Sequence, residues 1–482
     1  MASAPFTIAD YRRILDQEKA SASVLVSQAR ERALRYQPHL NAFVTLLDTP
    51  EISRQAAGPL AGIPYALKDN FSTKGILSTG SSNILRDYIP VFDATVVERL
   101  RDAGAVLIGK TVLDELAMGG TGMTGHTGLV HNPWNHERMT GGSSAGSAAA
   151  VCAGIVPFAL GSDTGDSVRK PAAYCGIVGF KPSWGRISRF GLFPFAPSLD
   201  HVGVFARCVR DAATVTEVLA GSDARDMTCS TRPVPAFGTE LHPSVKGARI
   251  AVLQPVIDSL IREEVRNHFD DVVQRAKQAG ATVDYIPFDV DLLKALYSVY
   301  MVISCAEATS NNANLDGIKF GPRGEGATFE QMMIATRTQG FGELIKRRFV
   351  LGSYCLAREN QDRLFLRAQK IRQRVVRRLN EVYQQYDAIL LPAAGDVAPR
   401  FDKEAKDEKL SNHYLIAENH LVLGNFSGCP SITIPSGMLD GMPLGINLMT
   451  QAYTDQKTLD LAAGMEALLD FVPFTYEGGD GQ

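Results

Sequence analysis

The sequence lacks an excess of charge of either sign. Its 482 residues include 49 lysines and arginines against 52 aspartates and glutamates, which gives a formal net charge of −3. Proteins that bind nucleic acid by themselves usually present a positive field to the phosphates. We therefore expect no autonomous binding to nucleic acid, and any contact with RNA should need a partner protein.

The sequence also has few cysteines and no long apolar run. Its seven cysteines are scattered, odd in number and never spaced as CxxC, which argues against zinc and redox motifs and favours reduced thiols. The N-terminus soon reaches charged residues without the apolar core of a secretory signal, and no uninterrupted apolar stretch approaches the length of a membrane span. We expect a soluble cytoplasmic protein that makes no contact with a membrane.

Motifs for metals and nucleotides are missing as well. The sequence contains no HExxH pair, acidic triplet or P-loop lysine, so we expect neither a metal nor a nucleotide cofactor in this chain. GTGMTG at 120–125 matches GxGxxG, but the helical pattern before it is not the strand that dinucleotide binding requires. GSSAG at 142–146 matches the nucleophile elbow around Ser144, yet the polar residues before it do not form a buried strand.

Hydrophobic residues make up 45% of the chain and charged residues only 21%, so a large core is expected, in one large domain or two intimate ones. Strand-like and helix-like patterns alternate, which is typical of an α/β fold. The predicted division is an N-terminal helical part, a catalytic core, a possible linker and a remaining α/β part, at 7–60, 61–221, 222–245 and 246–482.

The patterns predict individual elements in these parts. Helical spacing extends over 7–48, and GIPYALKDNF at 62–71 begins as a buried strand and ends in polar residues that include Lys68. Further along the chain we predict a helix that starts at Ser143 and a strand, helix and strand within 246–287. The other predicted elements are helices near 95–103 and 111–118, a strand at 105–108, a basic amphipathic helix at 364–386 and the strand DAILLP after it.

The segment from Gly141 to Lys181 carries the strongest signal for chemistry. It contains two hydroxyl-rich turns flanked by glycine, GGSS and SDTGDS, on either side of an alanine-rich helix. Small residues permit tight turns and close approach of the backbone to a ligand. Ser167 is the leading candidate for a nucleophile, and an oxyanion could be held by the backbone amides of Thr164, Gly165, Asp166 and Ser167.

A serine nucleophile needs a base, and the sequence suggests a lysine. None of the nearby histidines has a motif around it, whereas Lys68 leaves a strand in an apolar context that would lower its pKa. A second serine between lysine and nucleophile would relay the proton. Ser143, in the first glycine-serine turn, is the candidate for that relay.

Three of these segments together resemble the amidase signature family. They are GIPYALKDNF, GGSSAGSAAAVCAG and the long run that begins GSDTGDSVRKPAAYCGIVGFKPSWGR. Within the family, 306–321, 340–354 and 425–437 are most similar to the A subunit of the amidotransferases that convert Glu-tRNA(Gln) to Gln-tRNA(Gln). The similarity spans nearly the whole chain. It implies a single large fold with a central mixed, twisted β-sheet flanked by helices on both faces.

The resemblance also implies roles for individual residues. By it, Lys68 is the base, Ser143 the bridging serine after a cis peptide bond, and Ser167 the nucleophile, with amides 164–167 as the oxyanion hole. Arg348 is implied to bind the substrate carboxylate, with Arg347 as a substitute, since a guanidinium offers two donors to a carboxylate. Tyr300 lies in a segment that contacts substrate, and Glu418 stands where the family has an aspartate for the substrate ammonium.

Two residues depart from the family pattern. Glu418 is one methylene longer than aspartate, which alters its reach. Asp166 replaces a glycine directly before the nucleophile, where an anion would oppose the developing oxyanion. We expect the Asp166 side chain to point away or to pair with a cation such as Arg169 or Lys170.

The predicted function is that of a glutamine amidohydrolase that passes ammonia to the B and C subunits of the amidotransferase, with ATP, magnesium and tRNA handled in the complex. Two alternatives stay open. One is a free-standing amidase acting on another small-molecule amide, which the departures at Asp166 and Glu418 favour. The other is an inactive scaffold, which only unchanged amide turnover after Ser167→Ala would support.

Overall fold

The computed structural model describes residues 7–17, 21–52, 58–402, 411, 413–469 and 471–478, and within them a large mixed sheet dominates. Eleven of the described strands form this sheet in the order β1, β3, β2, β6, β8, β7, β12, β13, β11, β9, β10. The strands are β1 Phe43–Leu46, β2 Pro64–Lys68, β3 Val106–Thr111, β4 His131–Asn132, β5 Asn135–Met139, β6 Phe158–Asp163, β7 Val178–Lys181, β8 His201–Ala206, β9 Arg249–Leu253, β10 Thr282–Ile286, β11 Ala388–Pro392, β12 Ser431–Leu439 and β13 Met442–Thr450.

Helices cover both faces of the sheet, as the α/β prediction requires. Neighbouring residues of one strand enter different cores: Ile250 and Val252 of β9 lie in one cluster, and Ala251 and Leu253 in another. The helices are α1 Ile8–Gln17, α2 Ala22–Leu40, α3 Thr95–Asp102, α4 Ala145–Cys152, α5 Arg169–Cys175, α6 Val209–Leu219, α7 Gln254–Asp258, α8 Glu263–Gln278, α9 Val290–Asn311, α10 Phe329–Gly340, α11 Glu343–Leu356, α12 Arg367–Tyr383, α13 Val422–Ser427 and α14 Asp455–Leu469.

The pairing of β2 with β6 is what positions the site. β2 runs parallel to both β3 and β6, with Leu67 opposite Leu160. Because parallel strands end at the same edge of a sheet, the residues that follow them meet there. Lys68, at the end of β2, is thereby placed beside Ser162 and Asp163, at the end of β6.

Several predicted elements are found and others are wrong. The strand that ends at Lys68, the helix near 95–103 and the parallel unit formed by β9, α8 and β10 are confirmed. The helical prediction over 7–48 fails at its end, since β1 pairs with β3. The helix predicted at 111–118 is instead the end of β3 and one 3₁₀ turn at Glu115–Ala117.

The segment 222–245, predicted as a possible linker, contains neither a helix nor a strand. It nevertheless contacts the body of the protein. Asp223 accepts hydrogen bonds from Thr95 and Ser188, and Phe237 is fully buried. The division of the chain into parts stays a prediction.

One helical segment has the length and composition of a membrane span although it is not an unbroken apolar run. By length and composition, 290–314 is the one span among the described residues that could cross a membrane, and half of its most apolar window is buried. Charged Lys294 and Glu307 interrupt its sequence, which hides its apolar character from a search for unbroken runs. Leu293, Leu296 and Ile303 belong to a core cluster, as expected for a core helix.

Candidate active site

Lys68 is completely buried at the end of β2, and its amine is fixed by hydrogen bonds to neutral oxygens. Its Nζ donates to Ser143 Oγ at 2.8 Å, to Ser162 Oγ at 2.8 Å and to the Ser162 carbonyl at 3.2 Å. Asn70 Nδ2 also donates to Ser162 Oγ, at 3.0 Å. The amine therefore has a defined direction toward Ser143.

Burial changes the acid–base character of this lysine. Removal from water penalises the charged form and lowers the pKa of Lys68 from its usual 10.5 to about 7, although the carboxylates of Asp114, Asp163 and Asp200 oppose the shift. None of those carboxylates forms an ion pair with Lys68 in the described chain. A substantial fraction of the amine is consequently neutral near pH 7, as a proton acceptor must be.

Ser143 lies in the turn before α4 rather than inside the helix, which corrects the predicted helix start. The helix begins at Ala145, and the peptide bond between Gly142 and Ser143 is cis, as the family resemblance implied. Asp114 holds this turn: its amide donates to the Ser143 carbonyl at 3.0 Å. Only glycine fits at position 142, because a Cβ there would lie 1.9 Å from Asp114 Oδ2.

Asp114 also organises the loop that leads to the turn. Its carboxylate accepts hydrogen bonds from the amides of Thr121, Gly122, Met123 and Thr124, at 2.9 to 3.2 Å. The long polar loop before Ser143 is therefore fixed by one buried side chain.

The turn that carries Ser167 is held by a buried ion pair. Asp163 and Arg169 interact through two contacts, Nε to Oδ2 at 3.1 Å and Nη2 to Oδ1 at 2.9 Å. Asn425 donates to Asp163 Oδ1 at 2.9 Å, and Arg169 donates to the Gly165 carbonyl at 2.8 Å. Burial opposes ionisation, but Arg169 outweighs it and holds the pKa of Asp163 well below its usual range.

The turn between β6 and α5 contains four consecutive backbone amides, those of 164–167. Within the described chain, the amides of Thr164, Gly165, Asp166 and Ser167 donate to no protein acceptor. The Thr164 side chain is held by Asp200, to which its hydroxyl donates a hydrogen bond at 2.7 Å. Four unsatisfied donors in one turn have the character of an anion site.

The turns that carry Ser143 and Ser167 are joined through their backbones, but the two serine hydroxyls are not hydrogen-bonded to each other. The Ser144 amide donates to the Ser167 carbonyl at 3.3 Å, which sets the two turns side by side. Among the described residues, Ser167 Oγ has no hydrogen-bond partner. The first link, from Lys68 to Ser143, is formed, whereas no hydrogen bond joins the Ser143 and Ser167 hydroxyls among the described residues.

A cluster of charges lies next to Ser167. Lys170 Nζ contacts Asp166 Oδ2 at 3.1 Å, Glu418 Oε2 at 3.3 Å and the Glu418 carbonyl at 2.7 Å. The expectation that Asp166 pairs with a cation is thus met by Lys170. Burial disfavours the charged amine, but the two carboxylates outweigh it and raise the pKa of Lys170.

Arg348 faces the inside of the protein and Arg347 does not. The Arg348 guanidinium lies 5.7 Å from the centre of the Phe195 ring and interacts electrostatically with Tyr300. Its Nε and Nη1 are buried without a hydrogen-bond partner. Arg347 instead pairs with Glu343, and its side chain is 74% exposed, so Arg348 is the better placed of the two and the choice between them stays a prediction.

Tyr300 connects this region to the nucleophile turn. A Cβ at Gly165 would lie 3.1 Å from the Tyr300 ring, so the ring packs directly on that glycine. Burial raises the pKa of Tyr300, while Arg348 opposes the rise. The predicted residues therefore form one continuous series from Arg348 through Tyr300 to the turn at 164–167.

Sequence reasoning missed the residues that support the site. Ser162, Asn70, Asp163, Asp200 and Asn425 were given no role, although Ser162 and Asp163 lie inside the SDTGDS turn and Asn70 and Asn425 lie in segments that carry the family resemblance. Most of their partners are distant along the chain, which is why local patterns did not reveal them. Among the described residues, no group of three or more His, Cys, Asp or Glu side chains is arranged to hold a metal ion.

Comparison with known proteins gives a consistent result over the whole length. The family model described as Amidase matches residues 24–459. The A subunit of glutamyl-tRNA(Gln) amidotransferase from Symbiobacterium thermophilum is 39% identical over 457 residues, which cover 92% of each chain. The crystal structure of the same subunit from Thermotoga maritima has a TM-score of 0.82 at 34% identity and covers 98% of both chains.

A second kind of enzyme is equally similar in structure but less so in sequence. The native peptide amidase of Stenotrophomonas maltophilia also has a TM-score of 0.82, at 26% identity, with 98% of this chain and 99% of that chain covered. The fold is thus shared between a peptide amidase and one subunit of an amidotransferase.

Proposed function

This chain belongs to the amidase family, and we propose that it acts as the ammonia-releasing subunit of a tRNA-dependent amidotransferase by hydrolysing the side-chain amide of glutamine. The relatives that are A subunits of glutamyl-tRNA(Gln) amidotransferase, at 37 to 39% identity over more than nine-tenths of the chain, support this assignment. The observation that carries the chemistry is the 2.8 Å contact between the buried Lys68 amine and Ser143.

The acylation step begins at Lys68. The neutral amine takes the Ser143 proton, and Ser143 takes the Ser167 proton as Ser167 Oγ forms a bond to the amide carbon. The carbonyl oxygen becomes an oxyanion, which the free amides of 164–167 stabilise. Those donors are fixed before the reaction by the ion pair of Asp163 with Arg169, so they need no reorganisation.

Collapse of the tetrahedral intermediate breaks the bond from carbon to nitrogen. The proton held on Lys68 returns through Ser143 to the leaving nitrogen, which departs as ammonia and leaves an ester on Ser167. Water then repeats the sequence: it loses a proton to the relay, attacks the ester and releases the carboxylic acid. Ser167 regains its proton, and the enzyme returns to its starting state.

The substrate is held away from the reacting bond. Arg348, with two unpartnered nitrogen donors beside Tyr300, is suited to bind the α-carboxylate of glutamine. The α-ammonium would face Glu418, whose carboxylate also contacts Lys170, the partner of Asp166 in the turn. The amide would then lie over Ser167, between these two ends.

In the complex, ammonia would pass to the B and C subunits, which would use ATP and magnesium to convert Glu-tRNA(Gln) to Gln-tRNA(Gln). The chain's net charge of −3 gives it no strong attraction of its own for tRNA. We therefore assign tRNA contact to the assembled complex, in the cytoplasm.

The test uses the chain expressed together with the B and C subunits. We expect glutamine-dependent formation of Gln-tRNA(Gln), which Ser167→Ala abolishes when glutamine is the donor but not when ammonium chloride replaces it. Failure of the chain to join the complex, or glutamine-dependent amidation by the Ser167→Ala complex, would contradict the proposal.

A second candidate function is that of a free-standing amidase acting on another small amide. The observation that favours it is the contact of Glu418 with Lys170, which engages the carboxylate meant for a substrate ammonium. The discriminating experiment is purification without partners. Full activity of the isolated chain on simple amides, with no response to glutamine, would decide for this second candidate.

A further inference from the structure

The carboxylate of Glu418 is already engaged by side chains of the protein itself. Lys170 donates to its side chain at 3.3 Å and to its carbonyl at 2.7 Å, and His413 Nε2 lies 3.7 Å from the other carboxylate oxygen. Lys170 outweighs the cost of burial and lowers the pKa of Glu418, so the acid is ionised and compensated. Two protein groups thus stand where a substrate ammonium would bind.

The side chains of this cluster are partly exposed and are not sealed in the core. The side chains of Asp166 and Glu418 remain 22% and 25% exposed, and that of Lys170 is 11% exposed. Asp166 directly precedes Ser167 and interacts electrostatically with Tyr300. The Lys170 ammonium is therefore tied to the residue that directly precedes Ser167.

Arg348, which would bind the substrate carboxylate, is not paired with a charged group of the protein in this way. Arg348 has no salt-bridge partner among the described residues, and two of its nitrogens are buried without an acceptor. A buried guanidinium with free donors is costly unless a ligand supplies an anion. Arg348 is thus free to bind a substrate carboxylate, whereas Glu418, which would bind a substrate ammonium, is already paired with Lys170.

Asp166 adds a second carboxylate to the cluster of Lys170 and Glu418, so negative charge remains there although Lys170 pairs with Glu418. Burial nevertheless raises the pKa of Asp166, and its carboxylate forms an ion pair with the same Lys170. A substrate ammonium that enters here would lie beside the Lys170 ammonium, and like charges at this distance repel.

We propose that the site selects substrates by their carboxylate, with Lys170 standing in for the α-ammonium, so that ω-amides of dicarboxylic acids without an amino group are hydrolysed at least as well as glutamine. The proposal rests on the proposed amide hydrolysis at Ser167 and defines its substrate class. Lys170 is then the residue that determines this specificity. Arg348 recognises both kinds of substrate.

The experiment compares glutamine with glutaramate, which has the same amide and carboxylate and lacks only the α-amino group. It measures kcat/KM for ammonia release by the chain alone and in complex with the B and C subunits. We expect glutaramate to equal or exceed glutamine in the wild type. Lys170→Gln should raise the ratio of glutamine to glutaramate by about ten-fold or more, since it frees Glu418 for an ammonium.

Within each variant the ratio cancels any loss that is common to both substrates, including partial misfolding. Lys170→Met provides a second variant of similar length. Arg348→Gln is the matched control, which should lower kcat/KM for both substrates equally and leave their ratio unchanged. Butyramide, which has no carboxylate, should be a poor substrate that Arg348→Gln does not affect further.

The outcomes separate this proposal from the one on which it rests. A wild type that prefers glutamine over glutaramate by about a hundred-fold, or a ratio that does not move in either Lys170 variant, overturns the specificity proposal and leaves the amidotransferase function standing. A wild type that hydrolyses neither compound, alone or in the complex, overturns the proposed function and this inference together.

Discussion

Two regions of this molecule meet at Ser167, and they are built differently. The relay region, which contains Lys68, Ser143 and Ser162, lies at the end of β2 and β6 and is almost completely buried. Its contacts are short hydrogen bonds between an amine and neutral oxygens. The recognition region comes from helices and turns distant in sequence, and it contains Asp166, Lys170, Tyr300, Arg348 and Glu418. Its ion pairs join Lys170 to Asp166 and Glu418, whose side chains are partly exposed.

The difference shows how this fold can separate reaction from selection. Strand pairing and a fixed turn dictate where the proposed relay groups lie, so we expect a change there to remove the chemistry. We expect the recognition groups to act through charge, so that a change there alters which amide is accepted while the relay stays in place. Each prediction below breaks one of these regions and leaves the other intact.

The largest effect is expected for Ser167→Ala. Loss of the attacking hydroxyl should lower amide turnover by at least about four orders of magnitude and abolish the acyl-enzyme, as seen by intact-protein mass spectrometry with a slow substrate. The matched control is Ser144→Ala, because the Ser144 hydroxyl donates to the Ser162 carbonyl at 3.1 Å and has no assigned part in the reaction. Equal losses in the two variants would contradict the assignment of the nucleophile.

Lys68→Arg should have the next largest effect. The guanidinium keeps the positive charge but stays protonated at any working pH, so it cannot accept the Ser143 proton. We expect turnover to fall by about three orders of magnitude, measured as ammonia release. The turnover of Lys68→Met should fall equally. An active Lys68→Arg variant would show that position 68 supplies a charge and not a proton acceptor.

Arg348→Gln tests the recognition region. Removal of the guanidinium should lower kcat/KM for glutamine by about a hundred-fold, mostly through KM, because the carboxylate loses its paired donors. Arg347→Gln is the control one residue away, with a side chain directed at solvent. A loss in the Arg347 variant that matches the loss in the Arg348 variant would place the carboxylate elsewhere.

The smallest effect concerns stability and pH. The pKa of Lys68 is about 7 in the fold and near 10.5 in its ordinary state, so between these values the unfolded chain binds the extra proton. The free energy of unfolding of the wild type, relative to Lys68→Met, should therefore increase with pH by up to about 1.4 kcal/mol per pH unit over this range. Urea denaturation of both proteins at several pH values measures this difference in the free energy of unfolding. A difference that does not change with pH would mean that the pKa of Lys68 is not lowered in the fold.

Much of the relay region could be predicted because its signals are local. The turns around Ser143 and Ser167 are marked by glycines, and Lys68 follows a short buried strand. The error over 111–118 has a physical cause, since Asp114 draws the amides of 121–124 onto its carboxylate and so prevents a helix there. Ser143 fell outside α4 for a related reason, because Asp114 also holds its carbonyl.

The contacts that join the site could not be predicted, because they depend on how distant segments pack. Lys68 reaches Ser162 across 94 residues, Arg169 reaches Asn425 across 256, and Lys170 reaches Glu418 across 248. The pairing of Asp166 with Lys170 was within reach because it spans one helical turn. That Glu418 shares the same lysine follows only from the folded arrangement.

The central claim is that a neutral Lys68 draws the proton from Ser167 through Ser143, and the pH dependence of acylation tests it most directly. In single-turnover experiments, the rate of the first ammonia release should increase with pH to a plateau with a midpoint near 7, the pKa of the buried amine. A midpoint near the ordinary lysine value of 10.5, or a rate that does not depend on pH, would contradict the account.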